Sequence, residues 1–402
     1  MNLRPLPAIL LAISGAVVAP QAISHGTAQV GSEVTARHIV FPDTTAYQTM
    51  VVDLHTHSAF SDGHVWPKIR VEEALRDGLD AMAVTEHLEF QPHLQDIPHT
   101  DRNRAYLATT SAAQGSSLIV IPGAEITRDA PAGHMNAIFI SDANALLQVN
   151  NPPADPADMR GYYDAASAWP AQNAVDAASE QNGFVFWNHP YWSTQKADAI
   201  ARMNDFHKAN IRAGKLHGIE IANTHDYSDE AFAIALKHDL ALIGVSDVHD
   251  LIDWDYAPNE GGHRPVNLVL VEDKTAEGLK QALFAKRTLV WFKNLLIARE
   301  PEMDAMLAAS IQVTSAAYRE GTQVLDFTVS NSSDARFELE NRSKVTFMGN
   351  ADTVTIEPNG TTNLTIKPGK TVEALQLKFS VRNALIAPGK HPTITLSVAP
   401  QA

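Results

Sequence analysis

The chain has 402 residues, of which 45% are hydrophobic and 19% are charged, and its formal net charge is -15. A chain of this length can bury a large core in two or three domains, and the composition is that of a globular protein. The negative charge argues against stable binding to nucleic acid, which needs clustered lysine and arginine. The absence of cysteine excludes disulfides and thiolate metal sites, so any metal must be held by histidine, aspartate or glutamate.

The N-terminal residues 1–24 have the pattern of a secretory signal peptide. One basic residue, Arg4, precedes a short apolar run from Ala8 to Ala19, and small residues up to Ser24 offer a cleavage site. The run is too short to span a membrane, so we expect a secreted or periplasmic protein without a membrane span. The alternative is an N-terminal anchor or a disordered tail. Residues 25–49 then have the composition of a linker.

From residue 50 to residue 298, short apolar runs alternate with segments of helical periodicity. The predicted strands are Met50–Leu54, Ala81–Thr85, Leu118–Pro122, Ala137–Ile140, Phe184–Trp187, Gly218–Ile221, Ala241–Val245, Val266–Val271 and Thr288–Phe292. The predicted helices are Lys68–Asp77, Arg102–Gln114, Ala171–Glu180, Ala197–Ala213, Asp229–His238 and Ala276–Ala285. This alternation favours a parallel sheet of βα units, and about seven such units fit a closed or slightly irregular (β/α) barrel.

The composition changes near Glu300, and residues 305–402 have a different pattern. Segments of alternating hydrophobicity such as Gln323–Val329 are separated by turn sequences, including Asn359-Gly360 and Pro368-Gly369. Short strands at this spacing predict a small all-β sandwich, which we interpret as an accessory domain.

Acids and histidines follow the predicted strands, at the rim where functional groups of a (β/α) barrel gather. The candidate metal ligands are His55, His57, Asp62, His87, Glu125, His134, His189, Asp247 and His249. Residues two apart on a strand point to the same side, so His55 and His57 can bind one ion together. If these acids and histidines were packed together without metal, they would repel one another or need large pKa shifts. This predicts two or three divalent cations, with a carboxylate such as Glu125 between two of them. The ligand types suit Zn, Mn or Fe.

These motifs resemble those of the polymerase and histidinol phosphatase (PHP) family. The resemblance covers about residues 50–295 and rests on His55-x-His57, Ser61-Asp62-Gly63, Thr85-Glu86-His87, Gly123-Ala124-Glu125, Asn188-His189-Pro190 and Ser246-Asp247-x-His249. It implies an α/β fold, an irregular seven-stranded (β/α) barrel of PHP type, with a trinuclear centre for phosphoester hydrolysis.

The resemblance also implies which ligands serve which metal. The ligands of the first metal correspond to His55, His57, Glu125 and Asp247. Those of the second metal correspond to Glu125, His134 and His189. Those of the third metal correspond to Asp62, His87 and His249.

The function that follows is hydrolysis of a small-molecule phosphate ester, either a monoester or a diester. In this hypothesis a hydroxide that bridges two metals, with Glu125 as bridging ligand, attacks phosphorus in line. Asp247 is the candidate proton acceptor, and the candidate proton donor is His249 or a metal-bound water. For substrate binding we select Arg264 first, then Arg128, with His225 as a further contact; the alternative for either arginine is an ordinary salt bridge.

Two other functions remain open at this stage. The same rim could hydrolyse an amide or a lactone, because related barrel hydrolases use similar ligands. The chain could also be a non-catalytic exported protein that binds metal or carbohydrate, with the β-domain as its working part. The sequence does not indicate the substrate, the oligomeric state or the role of the β-domain.

Overall fold

A curved mixed sheet forms the first and larger part of the protein. The computed structural model describes residues 37–155 and 157–400, so the predicted signal peptide 1–24 and most of the predicted linker lie outside the described residues. The first eleven strands are β1 (Gln48–Asp53), β2 (Ala81–Val84), β3 (Ile119–Ile126), β4 (Met135–Ile138), β5 (Phe184–Trp187), β6 (Gly218–Asn223), β7 (Asp226–Tyr227), β8 (Ala241–Val245), β9 (Val266–Val271), β10 (Thr288–Phe292) and β11 (Leu295–Ala298).

Helices fill most of the connections between these strands and pack apolar faces against the sheet. They are α1 (Pro67–Arg76), α2 (Arg104–Ala112), α3 (Met159–Ser167), α4 (Ala171–Glu180), α5 (Asp205–Arg212), α6 (Asp229–His238), α7 (Ile252–Tyr256), α8 (Ala276–Phe284) and α9 (Glu300–Ser310), with short 3₁₀ turns at Ala143–Leu146 and Pro258–Glu260. The predicted helix Ala197–Ala213 starts later than expected, because the Asn204 side chain caps α5 by accepting from the N–H groups of Phe206 and His207. In the described part of the chain, no helix has the length and apolar character to cross a membrane.

The sheet is mixed, which corrects the expectation of an all-parallel sheet. Its order is β11-β10-β9-β1-β2-β3-β4-β5-β6-β7, and β8 pairs with β6. The strand pairs β1–β2, β2–β3, β5–β6 and β6–β8 are parallel, whereas β4 is antiparallel to both neighbours and β9 is antiparallel to β1. The reason at β4 is its short connection, residues 127–134, because a parallel crossover needs about a dozen residues or more.

The predicted fold class is confirmed: a curled α/β half-barrel is followed by an all-β region. The nine predicted strands correspond to β1–β6 and β8–β10, and the sheet also contains the short strands β7 and β11. Strands β10 and β11 form a tight hairpin in which both turn residues, Lys293 and Asn294, have positive φ angles of 45° and 65°. Such angles match the twist of a two-residue hairpin.

The C-terminal region is a two-sheet sandwich. Its strands are β12 (Ile311–Tyr318), β13 (Leu325–Asn331), β14 (Phe337–Asn341), β15 (Thr353–Ile356), β16 (Thr361–Ile366), β17 (Leu375–Val381), β18 (Ala384–Leu385) and β19 (Thr393–Val398). One sheet has the order β12-β13-β16 and the other β15-β14-β17-β19. The alternating burial of β13 places Phe327 and Val329 between the sheets, as expected for a strand with one solvated face.

The sandwich is joined to the half-barrel by packing and by a shared strand. Strand β18 pairs in parallel with β11 and so extends the large sheet. The buried core is continuous across the junction, from Trp291 and Leu296 through Met303 to Phe337. Whether the domains divide at residues 298 and 305 stays a prediction.

Candidate metal centre

Strands β1 and β8 end side by side, and the segments that follow them are tied together by their backbones. Thr56 and Val248 form a parallel bridge beyond the two strand ends. The N–H of His57 donates to the Val248 carbonyl over 3.1 Å, and the N–H of Asp247 donates to the His55 carbonyl over 3.0 Å. These bonds fix the separation of two segments that carry predicted ligands.

The segments after β2 and β3 are joined in the same way. His87 and Glu125 form a second parallel bridge, and the N–H of Glu125 donates to the Glu86 carbonyl over 2.9 Å. The N–H of Thr85 donates to the Thr56 carbonyl over 3.2 Å, which links this pair of segments to the first. Backbone hydrogen bonds therefore bring four ligand-bearing segments to one edge of the sheet.

Three buried side chains, those of His55, His57 and Glu125, converge with the partly buried Asp247 in a first group. Nε2 of His55 and Nε2 of His57 lie 2.9 Å apart, and each lies 3.1 Å from Oδ1 of Asp247. Oε2 of Glu125 lies 3.4 Å from the His55 nitrogen and 3.3 Å from the His57 nitrogen. Two imidazoles and two carboxylates that turn their lone pairs toward one point form the kind of donor set that binds a divalent transition metal.

Glu125 also connects the first group to a second. Its Oε1 lies 2.8 Å from Nδ1 of His134 and 3.7 Å from Nε2 of His189, and its Oε2 lies 2.8 Å from Nδ1 of His87. His87, Glu125 and His134 are close enough to hold one ion together. His189 stands farther back in this arrangement, at 3.9 Å from Oδ2 of Asp247.

A third group forms around Asp62. Its Oδ2 lies 3.3 Å from Nε2 of His87, and its Oδ1 lies 3.2 Å from Nε2 of His249 and 3.7 Å from Nδ1 of His57. These four residues could also hold an ion. The structure thus brings all nine predicted ligands to one place, and the residues present fit divalent metals. Among the described residues, the ion-pair partners of Glu125, Asp62 and Asp247 are all histidines.

The charges of these groups shift each other's proton affinities. Burial lowers the pKa of His55, but the nearby carboxylates of Asp247, Glu220 and Glu125 outweigh it and raise that pKa well above its usual value. Burial also lowers the pKa of His249, but the carboxylates of Asp62 and Asp247 outweigh burial and raise that pKa to about 9. Burial opposes ionisation of Glu125, yet the surrounding imidazoles hold its pKa well below the usual range. In the metal-free cluster, protons therefore provide the positive charge that the carboxylates require.

Sequence reasoning missed two buried residues that orient the ligands. Glu220 on β6 accepts from Nδ1 of His55 over 2.8 Å, and the Asn188 side chain donates to Oε1 of Glu125 over 2.9 Å. Glu220 had a signal in the sequence, because it is a charged residue within an apolar strand. Partners of this kind fix the ring orientation of a metal-binding histidine.

Sequence reasoning also missed a third residue, Arg70 on α1, which hydrogen-bonds to the backbone of two ligand-bearing segments. Its buried guanidinium donates to the carbonyl groups of His57, His249 and Asp250 over 2.7 Å each. Gly63 allows the same region to close tightly, since a Cβ there would lie 2.8 Å from the His57 backbone.

Two of the predicted ligands have unusual backbone angles. His189 has a φ angle of 22° and Asp247 one of 50°. Non-glycine residues in this region cost roughly 1–3 kcal/mol and tend to occur at functional sites. The hydrogen bond from the Asp247 N–H to the His55 carbonyl holds one of them in place.

The structure does not bring the two predicted substrate-binding arginines to the centre. Arg264 is 2% exposed and forms ion pairs with Asp77 over 2.7 Å and with Asp53 over 3.2 Å. Arg128 is 5% exposed, pairs with Glu89, and donates to the carbonyl groups of Thr127 and Trp169. Both guanidinium groups are committed to internal partners, which argues against the predicted phosphate contacts.

The third predicted contact, His225, is exposed and borders a cleft of about 500 Å³ above the ligand groups. A volume of this size suits a small molecule. Trp192 forms part of the wall at 42% exposure, with its ring 5.6 Å from that of His134 and 5.3 Å from that of His189. The rim also carries three carboxylates outside the predicted ligand set, Asp226, Asp250 and Asp255.

Both the half-barrel and the C-terminal region match models of known families. A family model described as the PHP domain matches residues 53–168, and a model described as an Ig-like domain matches residues 311–397. No curated protein matches the chain at a significant level.

Several solved structures resemble the chain, at different levels of sequence identity. A Bacteroides vulgatus protein, described as a two-domain protein containing a predicted PHP-like metal-dependent phosphoesterase, is 33% identical with a TM-score of 0.80, over 90% of this chain and 98% of that one. A protein of Bifidobacterium adolescentis, described as a candidate metal-dependent phosphoesterase, is 19% identical with a TM-score of 0.35, over 50% of this chain and 88% of that one. An amidohydrolase from Chromobacterium violaceum, with bound sulfate and no metal, is 16% identical with a TM-score of 0.36, over 58% of this chain and 96% of that one.

The Bacteroides vulgatus relative shares both the half-barrel and the C-terminal region, because the match spans nearly the whole of each chain. The family model covers the segments that carry His55, His57, Asp62, His87 and Glu125. Together with the side chains gathered at the sheet edge, these matches show that the chain belongs to the PHP domain family.

Proposed function

We propose that this PHP-family protein is a metal-dependent phosphoesterase that hydrolyses small-molecule phosphate monoesters or diesters. The proposal includes a centre of three divalent ions, of Zn, Mn or Fe, held by the nine predicted ligands. One observation supports it above the others: the Nε2 atoms of His55 and His57 lie 2.9 Å apart, and each lies 3.1–3.4 Å from one carboxylate oxygen of Glu125 and one of Asp247.

The ligands would divide among the ions as the three groups divide in space. Each of the three groups would hold one ion, and Glu125 would be common to the first and second groups. Divalent ions at such a site supply electrophilic stabilisation of phosphoryl charge and lower the pKa of a bound water to about 7. Glu220, Asn188 and Arg70 would keep the ligands in position without touching the substrate.

Two side chains at the cleft have geometries suited to proton transfer. Asp247 has one oxygen in the first group, while its Oδ2 accepts from Asn223 over 3.1 Å. We assign to it the acceptance of the proton from the attacking water. His249 is partly exposed, and its ring is fixed by Nδ1 at 2.8 Å from the Asp247 carbonyl. We assign to it the donation of a proton to the leaving oxygen in the state in which Nε2 carries a proton, and a water held at the centre would be the donor if Nε2 binds an ion.

The surface around the centre favours small substrates over nucleic acid. The net charge is -15, and the rim carboxylates Asp226, Asp250 and Asp255 repel a long polyanion. We further propose that residues 1–24 direct export and are removed after Ser24. Mass analysis of the mature protein would then show His25 as its first residue, and a retained N-terminus would contradict export by cleavage.

A metal-dependence assay tests the proposed activity. Purified protein is stripped with a chelator, reloaded with Mn or Zn, and assayed with p-nitrophenyl phosphate, bis(p-nitrophenyl) phosphate and a lactone. We expect turnover of one or both phosphoesters only after reloading. We expect His55→Ala to abolish it and His238→Ala, at the end of α6, to keep it.

The other outcomes identify the alternatives. Turnover of the lactone alone would replace the phosphoesterase by a lactonase or amidohydrolase. The absence of turnover with metal bound would favour a binding protein. If Asp247→Asn kept both its metal content and its full rate, the assigned role of proton acceptor would be wrong.

A further inference from the structure

A second and larger cavity lies beside the metal cleft, where the half-barrel meets the sandwich. Its volume is about 680 Å³. The half-barrel contributes Lys293 and His263 to its lining, and the sandwich contributes Asp334 and Arg336. Contacts tie the lining together: the His263 ring stacks on Trp291 at 3.4 Å, and the Asn294 side chain exchanges two hydrogen bonds with the Arg336 backbone.

The two cavities share a wall. His225 and Asp255 border both of them. Behind this wall, the hydroxyl of Tyr256 donates to the Ser246 carbonyl over 2.8 Å, directly before the predicted ligand Asp247, and the Tyr256 ring lies 5.2 Å from that of His225. The two cavities therefore adjoin at His225 and Asp255, so that a ligand lying across this wall would have one end near the ligand groups and the other in the second cavity.

The cavities differ in charge. Within the described residues, no lysine or arginine lines the metal cleft, whereas Lys293 and Arg336 line the second cavity and are exposed. Lys293 donates to the His225 carbonyl over 2.8 Å, and in the described ranges no carboxylate lies within ion-pair distance of it. Arg336 has one distant partner, Glu338 at 3.6 Å.

The carboxylates of the second cavity have other partners or lie at its edge. Asp77 is paired with Arg264 and Arg37, and Asp334 accepts from the Val40 N–H over 2.7 Å. Asp255 stands on the wall that the two cavities share. The second cavity therefore presents two cations that are available to a ligand, Lys293 next to the shared wall and Arg336 from the sandwich.

The geometry points to a second compartment of the active site that binds a negatively charged group on the non-reacting arm of the substrate. This inference rests on the proposed phosphoesterase function and adds the substrate class: an extended phosphoester with a second anionic group, such as another phosphate. The reacting phosphoryl group would occupy the metal cleft, and the second anion would reach Lys293 and Arg336. Once the first anionic group is bound, the second is held close to its own site, so a molecule with both groups binds more tightly than a molecule with one.

Binding of two matched probes tests the inference without requiring turnover. Hexanediol bisphosphate and hexyl phosphate are titrated into the full, Mn-loaded chain by calorimetry. We expect the bisphosphate to bind about tenfold or more tightly. In Lys293→Gln combined with Arg336→Gln, that preference should fall to about twofold or less, because the amides keep hydrogen-bonding capacity and lose the charge. Lys390→Gln combined with Arg382→Gln, on the sandwich outside the cavity lining, is the matched control and should keep the preference.

The outcomes separate this inference from the function on which it rests. Equal affinity for the two probes, or a preference that survives in the Lys293 and Arg336 variant, would overturn the second compartment alone. A metal-loaded protein that binds neither probe would overturn the phosphoesterase function as well.

Discussion

Glu220 and His55 form a fully buried pair in which the histidine Nδ1–H donates to the carboxylate over 2.8 Å. The same carboxylate accepts from the backbone N–H of His189 over 2.7 Å and from the Asn223 side chain over 2.8 Å. One acid on β6 therefore positions two predicted ligands. It also selects the tautomer of His55 that leaves the Nε2 lone pair directed at the first group.

We predict that Glu220→Gln weakens metal binding by about 10- to 100-fold, because the amide loses the charge that orients and polarises His55. Titration of the chelator-treated variant with Zn against a competing indicator measures the change. Glu272→Gln, an exposed acid with a partner at 3.9 Å, is the matched control. An unchanged Zn affinity in Glu220→Gln would remove Glu220 from the support of the centre.

Metal affinity should rise with pH. Burial lowers the pKa of His87 and His189, but the Glu125, Asp62 and Asp247 carboxylates outweigh it and raise both values, so the metal-free cluster retains protons near neutral pH. A metal must displace these protons, which makes binding weaker as the pH falls and releases protons on binding. Calorimetry in buffers of different ionisation enthalpy counts the released protons. Affinity independent of pH between 6 and 9 would contradict the prediction.

Arg264→Met should destabilise the fold and leave substrate affinity little changed. The substitution strands the buried carboxylates of Asp53 and Asp77, and the loss of one partner from a buried ion pair costs about 3–5 kcal/mol. Urea unfolding measures the loss. Arg160→Met, whose side chain is 79% exposed, should change stability by about 0.5 kcal/mol or less. A variant with unchanged stability and a raised KM would restore Arg264 as a phosphate ligand.

The buried His207 should make stability fall with decreasing pH. Its Nε2–H donates to the Ala132 carbonyl over 2.8 Å, the ring stacks on Trp187 at 3.8 Å, and burial lowers its pKa to about 4. Between pH 6.5 and 4 the unfolded chain binds a proton at this residue that the folded chain does not, so this interval costs up to about 3 kcal/mol.

Unfolding of His207→Gln at pH 7 and pH 4.5 measures that contribution. The variant should lose less stability than the natural chain over the same interval, since glutamine keeps a donor for the Ala132 carbonyl without titrating. His238→Gln, near the surface at the end of α6, should follow the natural chain. Parallel losses in all three proteins would contradict the assignment.

Much of the half-barrel could be predicted because its apolar runs are short and clearly bounded. The predicted strands Phe184–Trp187, Ala241–Val245, Val266–Val271 and Thr288–Phe292 and the predicted helix Ala171–Glu180 have the bounds observed in the structure. The direction of each strand relative to its neighbours could not be predicted. The expectation of a parallel sheet failed at β4 and β9, because periodicity within a strand carries no information about its neighbour.

The candidate ligands could be predicted because a strand end followed by histidine or acid is a local signal. The roles of Arg70 and Arg264 could not, because they depend on distant residues. Arg70 donates to the Asp250 carbonyl, 180 positions away, and Arg264 pairs with Asp53, 211 positions away. An isolated arginine before a strand looks the same whether it binds phosphate or closes a buried ion pair.

The pairing of Ala384–Leu385 with Leu295–Ala298 has a practical consequence for anyone who wishes to shorten or recombine this protein. Truncation before the Ig-like region would leave Leu296 and Ile297 on an unprotected strand edge and would open an apolar surface, a combination that promotes aggregation. We therefore expect the half-barrel to aggregate when the C-terminal region is removed. Chimeras with related proteins should exchange both halves together, or else retain the residues around Ala384.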